Sequence, residues 1–113
     1  MKLSDLAERL DLKVFGAGGG LGREVGGGYS GDLLSDVMAH GRKDDLWLTI
    51  QVHPNIVAVA VLKDLAAILL ANGREPAAET IERAEKEKVP ILGSAAPAYE
   101  LAGRLYGLGI KGA

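Results

Sequence analysis

No cysteine occurs in the 113 residues of the chain. That removes a disulfide framework, a thiolate nucleophile, iron–sulfur ligation and any Cys-based zinc site, and it points to an intracellular, cytoplasmic home. Histidine is almost as scarce. His40 and His53 stand at no metal-ligand spacing, so no metal site is expected, and His40 suits the last turn of a helix, where a cation complements the dipole. Aromatic residues make up 4% of the chain and the formal net charge is −2. With no stretch that gathers basic residues among aromatics, a nucleic-acid-binding surface is not expected.

Long apolar runs are limited to one, Asn55 to Asn72, interrupted by Lys63-Asp64. It is too short and too charged to cross a bilayer as a helix. The opening MKLSDLAERL carries acids early and no apolar core, which fits neither a signal peptide nor an anchor. No membrane association is expected.

Catalytic signatures are missing as well. No window supplies Gly, four residues, then Gly-Lys-Ser/Thr, so triphosphate hydrolysis of the Walker type is excluded. Ser4, Ser30, Ser35 and Ser94 read as caps or turn residues, and none lies in a G-x-S-x-G elbow. The dinucleotide pattern G-x-G-x-x-G occurs once, at Gly26, Gly28 and Gly31, but the next strand ends in Gln51-Val52-His53, without the acid that would hold a ribose. A plain glycine hairpin is the better reading. No catalytic residue and no cofactor is implied.

What the chain does have is one core's worth of apolar residues, 48% of the total, enough for a single domain over residues 1–113. The long run divides into a helix from Ile56 to Leu62 and a buried strand from Ala66 to Ala71. Segments apolar on every side are covered on both faces, which predicts a layered α/β fold with a mainly parallel central sheet of four to five strands and helices on its faces. Leu3, Leu6, Ala7 and Leu10 mark a first helix capped by Ser4, and Leu12 to Phe15 a short strand. Gly16 to Gly22 reads as a flexible loop, Arg23 to Val25 as a strand, and Gly26 to Gly28 as a second glycine cluster. Eight of the sixteen glycines fall between Gly16 and Gly28, an entropic cost that suggests a backbone approached closely by something.

Asp32 to His40 is a helix with Gly41 as a left-handed C-cap. Asp45 to Val52 alternates, with Leu46, Leu48, Ile50 and Val52 on a dry face and Trp47, Thr49 and Gln51 on a half-polar one. Ala77 to Lys88, Val89 to Gly93 and Pro97 to Leu108 complete the order as helix, strand and helix.

The most suggestive polar set is Thr49, Gln51, His53 and Asn55, spaced two apart where a strand gives way to a helix. Ligands of parallel α/β sheets bind at the strands' carboxyl ends. Asn72 and Arg74 leave the next strand there, and Ser94 the one after, so these loops are expected to share one cleft for a nucleotide or small anion, with Arg74 supplying the charge. Each residue also has an ordinary reading: Asn55 as a helix cap, Asn72-Gly73 as a turn, Gln51 as an exposed strand residue. Trp47 on the half-polar face, with Tyr29 beside the glycines, suggests a homodimer interface; the alternative is that a helix of the same chain covers Trp47.

Gly22–Met38 (GREVGGGYSGDLLSDVM), Asp45–Pro76 (DLWLTIQVHPNIVAVAVLKDLAAILLANGREP), VPIL at Val89–Leu92 and a final helix resemble, in that order, the DRTGG domain family. Arg23 matches the Arg of the name-giving motif and Gly26-Gly27 its paired glycine, with one extra residue between, while Gly22 stands where the family's Asp is usual. The family is similar to the N-terminal domain of HPr kinase/phosphorylase and occurs in CBS-containing pyrophosphatases and in phosphotransacetylases, with the catalytic machinery in other domains. The resemblance implies a non-catalytic regulatory or assembly domain that serves an enzyme partner. The alternative is an enzyme acting on a phosphorylated or dinucleotide substrate through the glycine-rich loops.

Overall fold

The computed structural model describes residues 1–112. In chain order its elements are α1 (Leu3–Arg9), β1 (Lys13–Gly16), a 3-10 turn (Gly18–Gly20), β2 (Gly27–Ser30), α2 (Leu34–His40), β3 (Asp45–Thr49), α3 (Asn55–Lys63), β4 (Ala67–Leu70), α4 (Ala78–Glu87), β5 (Ile91–Gly93) and α5 (Ala98–Gly107). The strands form one sheet in the order β1-β5-β4-β3-β2. β2 to β5 run parallel, and β1 alone runs against its neighbour. This is the layered, mainly parallel α/β fold that the apolar pattern predicts.

The run from Ala66 to Ala71 lies at the centre of the sheet because its two faces serve two cores. Leu69, with Leu46, Leu48 and Leu92, meets Leu3 and Leu6 of α1 and Leu101 and Leu105 of α5. Ile68 and Leu70, with Trp47 and Ile91, meet Val37 of α2, Ile56, Val57 and Ala60 of α3 and Ala84 of α4. Alternation along β4 thus sends successive side chains into opposite layers.

Several boundaries differ from the sequence reading, each for a local reason. β3 stops at Thr49 rather than Val52 because the Ile50 N–H donates to the Asp32 carboxylate at 2.9 Å and the Gln51 N–H to Thr49 Oγ1 at 3.2 Å, which ends the ladder. Asp32 is thereby drawn out of α2, which begins at Leu34. At α1 the N–H groups of Leu3 and Ser4 donate to the carbonyls of Arg23 and Leu21, and the Asp5 carboxylate accepts from the Lys2 N–H at 3.2 Å; Ser4 is not the cap. Gly41 has φ −62°, not a left-handed value. A Cβ there would stand 2.8 Å from the Val37 carbonyl oxygen, so closeness rather than handedness selects glycine.

The largest correction concerns the glycines. The strand expected at Arg23–Val25 is instead Gly27–Ser30, parallel to β3. The chain's own C-terminal segment lies across it. The Gly28 N–H donates to the Lys111 carbonyl at 3.1 Å, and a Cβ on Gly27 would sit 2.8 Å from that same oxygen. The backbone that the glycines admit is therefore the protein's own, and packing outweighs glycine's weak strand preference.

Candidate functional site

Because β2, β3, β4 and β5 are parallel, the loops that follow them leave the sheet at one edge. β1 is antiparallel, so its beginning lies at that edge: Lys13 is in register with Gly93, the last residue of β5. Three segments meet there, around Lys13, Arg74 and Ser94, and border an open cavity of about 250 Å³ whose lining also includes Asp11 and Glu75.

Each wall of the cavity has a structural cause. The chain turns out of β4 through two consecutive left-handed residues, Asn72 at φ 61° and Gly73 at φ 67°. Their N–H groups donate to the carbonyls of Ala96 and Ser94 at 2.9 and 2.8 Å, fixing the loop before α4 to the loop before α5. The Asn72-Gly73 turn expected from the sequence is present. Ser94 Oγ accepts from the Ala96 N–H at 3.1 Å and so shapes its own turn. The Phe15 ring lies directly over Gly93, where a Cβ would fall 2.5 Å from Cε2, so glycine is what lets the ring lie against the strand. Lys13 Nζ stands 5.0 Å from the Phe15 ring centroid, and 3.7 Å from Glu75 Oε1. Arg74 is exposed and makes no ion pair among the described residues.

The expected single cleft is split. The cavity takes Arg74 and Ser94 in its lining, beside the Asn72 turn, but not Thr49, Gln51, His53 or Asn55. Thr49 is buried and its hydroxyl donates to the Asp32 carboxylate at 2.8 Å; Gln51 Nε2 donates to the Asp32 carbonyl at 2.9 Å. Both side chains are therefore spent on holding the loop between β2 and α2 against the end of β3. His53 and Asn55 are exposed, and the Asn55 side chain does not cap α3. Between the two groups, the Val52 carbonyl accepts from the Ala77 N–H at 3.2 Å and from Thr80 Oγ1 at 2.6 Å.

Lys13, Phe15 and Asp32 are the site residues that sequence reasoning missed. A strand taken as parallel would put the start of β1 at the far edge. Only the direction of β1 brings Lys13 here, and nothing in Leu12–Phe15 announces that direction.

The motif residues lie at the opposite edge, before the strands begin. Arg23 donates from Nε and Nη2 to Asp44 Oδ1 at 3.1 and 2.7 Å, and from Nη2 to the carbonyl and carboxylate of Asp64 at 2.7 and 3.0 Å. Burial works against the Arg23 charge, but the hydrogen bonds to Asp44 and Asp64 outweigh it and raise the pKa. Gly26 lies against Asp44, with its N–H on the Asp44 carbonyl at 2.9 Å. Arg23, Gly26 and Gly27 thus serve the packing of the strand starts. As Gly26 and Gly28 flank or occupy a strand covered by the C-terminal segment, they form no phosphate loop, and the dinucleotide pattern is a chance match.

Trp47 is fully buried among the residues of α2 and α3, and its Nε1 donates to the Gly31 carbonyl at 2.8 Å. It offers no surface to a second molecule, and the interface expectation fails there for a simple reason: the face that alternation marks as half-polar is covered by the chain's own helices. Tyr29 is half-buried; its hydroxyl donates to the Asp36 carboxylate, and its ring stacks on His40 at 6.5 Å. That hydrogen bond, then burial, raises the Tyr29 pKa. Among the described residues no three His, Cys, Asp or Glu side chains are placed to hold a metal ion, and no helix is long and apolar enough to cross a membrane.

No family model matches the chain, and no curated protein matches it. Among solved structures it is similar to the CBS and DRTGG domains of the regulatory region of Clostridium perfringens pyrophosphatase, complexed with the activator diadenosine tetraphosphate. The TM-score is 0.71 at 14% sequence identity, over 97% of this chain and 47% of that one. The chain spans about half the length of that structure, and the likeness shows a DRTGG-like fold.

Proposed function

We propose that the chain is a regulatory domain without turnover of its own, which binds a small anionic ligand, a nucleotide being the favoured class, at the cavity formed by Lys13, Phe15, Arg74 and Ser94. The observation that carries this reading is an aromatic ring beside two cations, Lys13 and Arg74, at a sheet edge, in a lining that also holds Asp11 and Glu75, so that the ligand anion must take the place of Glu75 on Lys13. A base stacked on Phe15 would gain about 1–3 kcal/mol, a contact that tolerates any base because each has a π-face. Arg74 is free to meet a phosphate. Lys13 is held by an exposed pair with Glu75, worth at most about 1 kcal/mol, and by its place over the Phe15 ring, which it would yield to a stacking base as it turns to the ligand anion. A volume of about 250 Å³ lies just below the usual range of ligand pockets, roughly 300–1,000 Å³, which favours a mononucleotide-sized ligand left partly in solvent.

The domain would act in the cytoplasm, as a homodimer, on an enzyme joined to it or bound by it. The fold it shares with a regulatory region of a pyrophosphatase supports that role. Titration calorimetry with AMP, ATP, diadenosine tetraphosphate and inorganic phosphate tests the ligand. A nucleotide is expected to bind more tightly than phosphate alone, and Arg74→Ala to weaken it by about tenfold. Absence of binding by all four, or affinity indifferent to Arg74→Ala, would remove the reading.

A further inference from the structure

Helix α5 buries Leu101 and Leu105 against the sheet and turns its other side outward. On that side Tyr99, Ala102, Gly103 and Tyr106 recur at i, i+3, i+4 and i+7, and all four are exposed. Tyr99 is 90% exposed and Tyr106 60%, the former the most exposed large apolar side chain among the described residues. A Cβ built on Gly103 would meet nothing within 4 Å. Beside this face is a groove of about 150 Å³, lined by Leu46, Leu48, Leu105 and Ile110 together with Ala102 and Tyr106. The molecule therefore carries an uncovered aromatic knob and, one helix turn along, an apolar hollow of about one aromatic side chain in size.

The charges at the margin of the same face decide what covers it. Glu100 and Arg104 lie four residues apart on one flank of α5, both exposed, and neither makes an ion pair among the described residues. Two copies of α5 crossing antiparallel about a two-fold axis near Ala102 and Gly103 would place Glu100 of each opposite the partner's Arg104, and Tyr99 of each beside the partner's Tyr106 and its groove. The small residues would let the helices approach at the centre. Such self-complementarity is what an isologous interface requires.

We infer that the outer face of α5 is the surface on which this chain pairs with a second copy of itself, Tyr99 of each copy filling the groove of the other and Glu100 pairing with the partner's Arg104. The inference rests on the homodimer reading above and replaces Trp47 as its anchor. Tyr29 borders the groove, but its ring and hydroxyl turn to His40 and Asp36 of α2 on the other face of the sheet, so it leaves the interface together with Trp47.

Sedimentation equilibrium of the full chain over a wide concentration range tests it. Tyr99→Ala removes an exposed side chain that the fold does not need, and is expected to raise the dimer dissociation constant by more than about tenfold. Glu100→Arg and Arg104→Glu singly place like charges together and should each raise it by about fivefold or more, while the double reversal returns it to within about twofold of the wild type. A double variant as weak as the singles would overturn the antiparallel pairing. A dimer indifferent to Tyr99→Ala and to both reversals overturns this surface while leaving the homodimer reading in place; a wild type still monomeric at about 1 mM overturns both.

Discussion

Arg23 Nη2 stands 2.7 Å from Asp44 Oδ1, and the same nitrogen reaches the Asp64 carbonyl, also at 2.7 Å. Asp44 and Asp64 both have left-handed backbones, at φ 69° and 52°, in the turns that lead into β3 and β4. One guanidinium therefore joins two strained turns to the segment before β2. With the Arg23 side chain about one-third exposed, Arg23→Ala is expected to lower stability by about 1–2 kcal/mol. Arg23→Lys should recover less than half of that, because an ammonium lacks the fork that spans both partners. Urea unfolding midpoints check both, and an unchanged midpoint for Arg23→Ala would show the clamp to be idle.

Gly27→Ala forces a methyl group to within 2.8 Å of the Lys111 carbonyl oxygen. The C-terminal segment must then lift from β2. The expected cost is about 1–3 kcal/mol, together with faster proteolysis at residues 108–112. A variant that unfolds at the wild-type temperature and keeps that segment protected would contradict the packing described here.

Leu69 is fully buried in the central strand. Leu69→Ala is expected to cost about 2–5 kcal/mol, and Leu69→Asp, which adds an unpaired buried charge, to leave no folded population. Far-UV circular dichroism reports both. A soluble Leu69→Asp protein with native melting would mean that β4 is not central.

The raised pKa of Tyr29 has a sign that can be followed. Its folded value lies above the ordinary 10.0, through the hydrogen bond to Asp36 and then burial. The protonated phenol is favoured in the native state, so this contribution is complete below pH 10 and is lost as pH rises from there through the folded pKa. The stability difference between wild type and Tyr29→Phe is expected to be constant from neutrality to about pH 9 and to shrink above about pH 10. Guanidinium unfolding at several alkaline pH values measures it; a difference that grows with pH contradicts the assignment.

The interior was legible from the sequence because uninterrupted apolar segments have few places to go. Ala66 to Ala71 could only be central, and the order of helices and strands followed from periodicity. Contacts between distant segments were not legible. Trp47 reads as an interface residue on a half-polar face because alternation cannot tell a face awaiting a partner from one covered by α2 and α3. The Gly26–Gly28 cluster reads as a glycine hairpin that something approaches closely, while the partner that makes it a strand edge, Lys111, lies far along the chain. Thr49 and Gln51 looked like ligand residues because nothing near them in sequence uses their hydrogen bonds; Asp32 does. Arg74 and Ser94 line one cavity, as their positions after parallel strands lead one to expect. That Lys13 and Phe15 line it too is not legible, since the orientation of an outer strand leaves no trace in four residues.

The reversed direction of β1 has a kinetic side. Its pairing of Lys13 with Gly93 closes most of the chain into a loop, the kind of high-contact-order closure that folding completes late. β1 is also an outer strand, and its register slips between Val14 and Gly16, which makes it a natural place for partial opening. The cavity exists only while that seam is shut. A ligand seated between Lys13 and Arg74 therefore binds the closed form alone, and its first signature would be slower amide hydrogen exchange along Lys13–Gly16, ahead of any change in global melting.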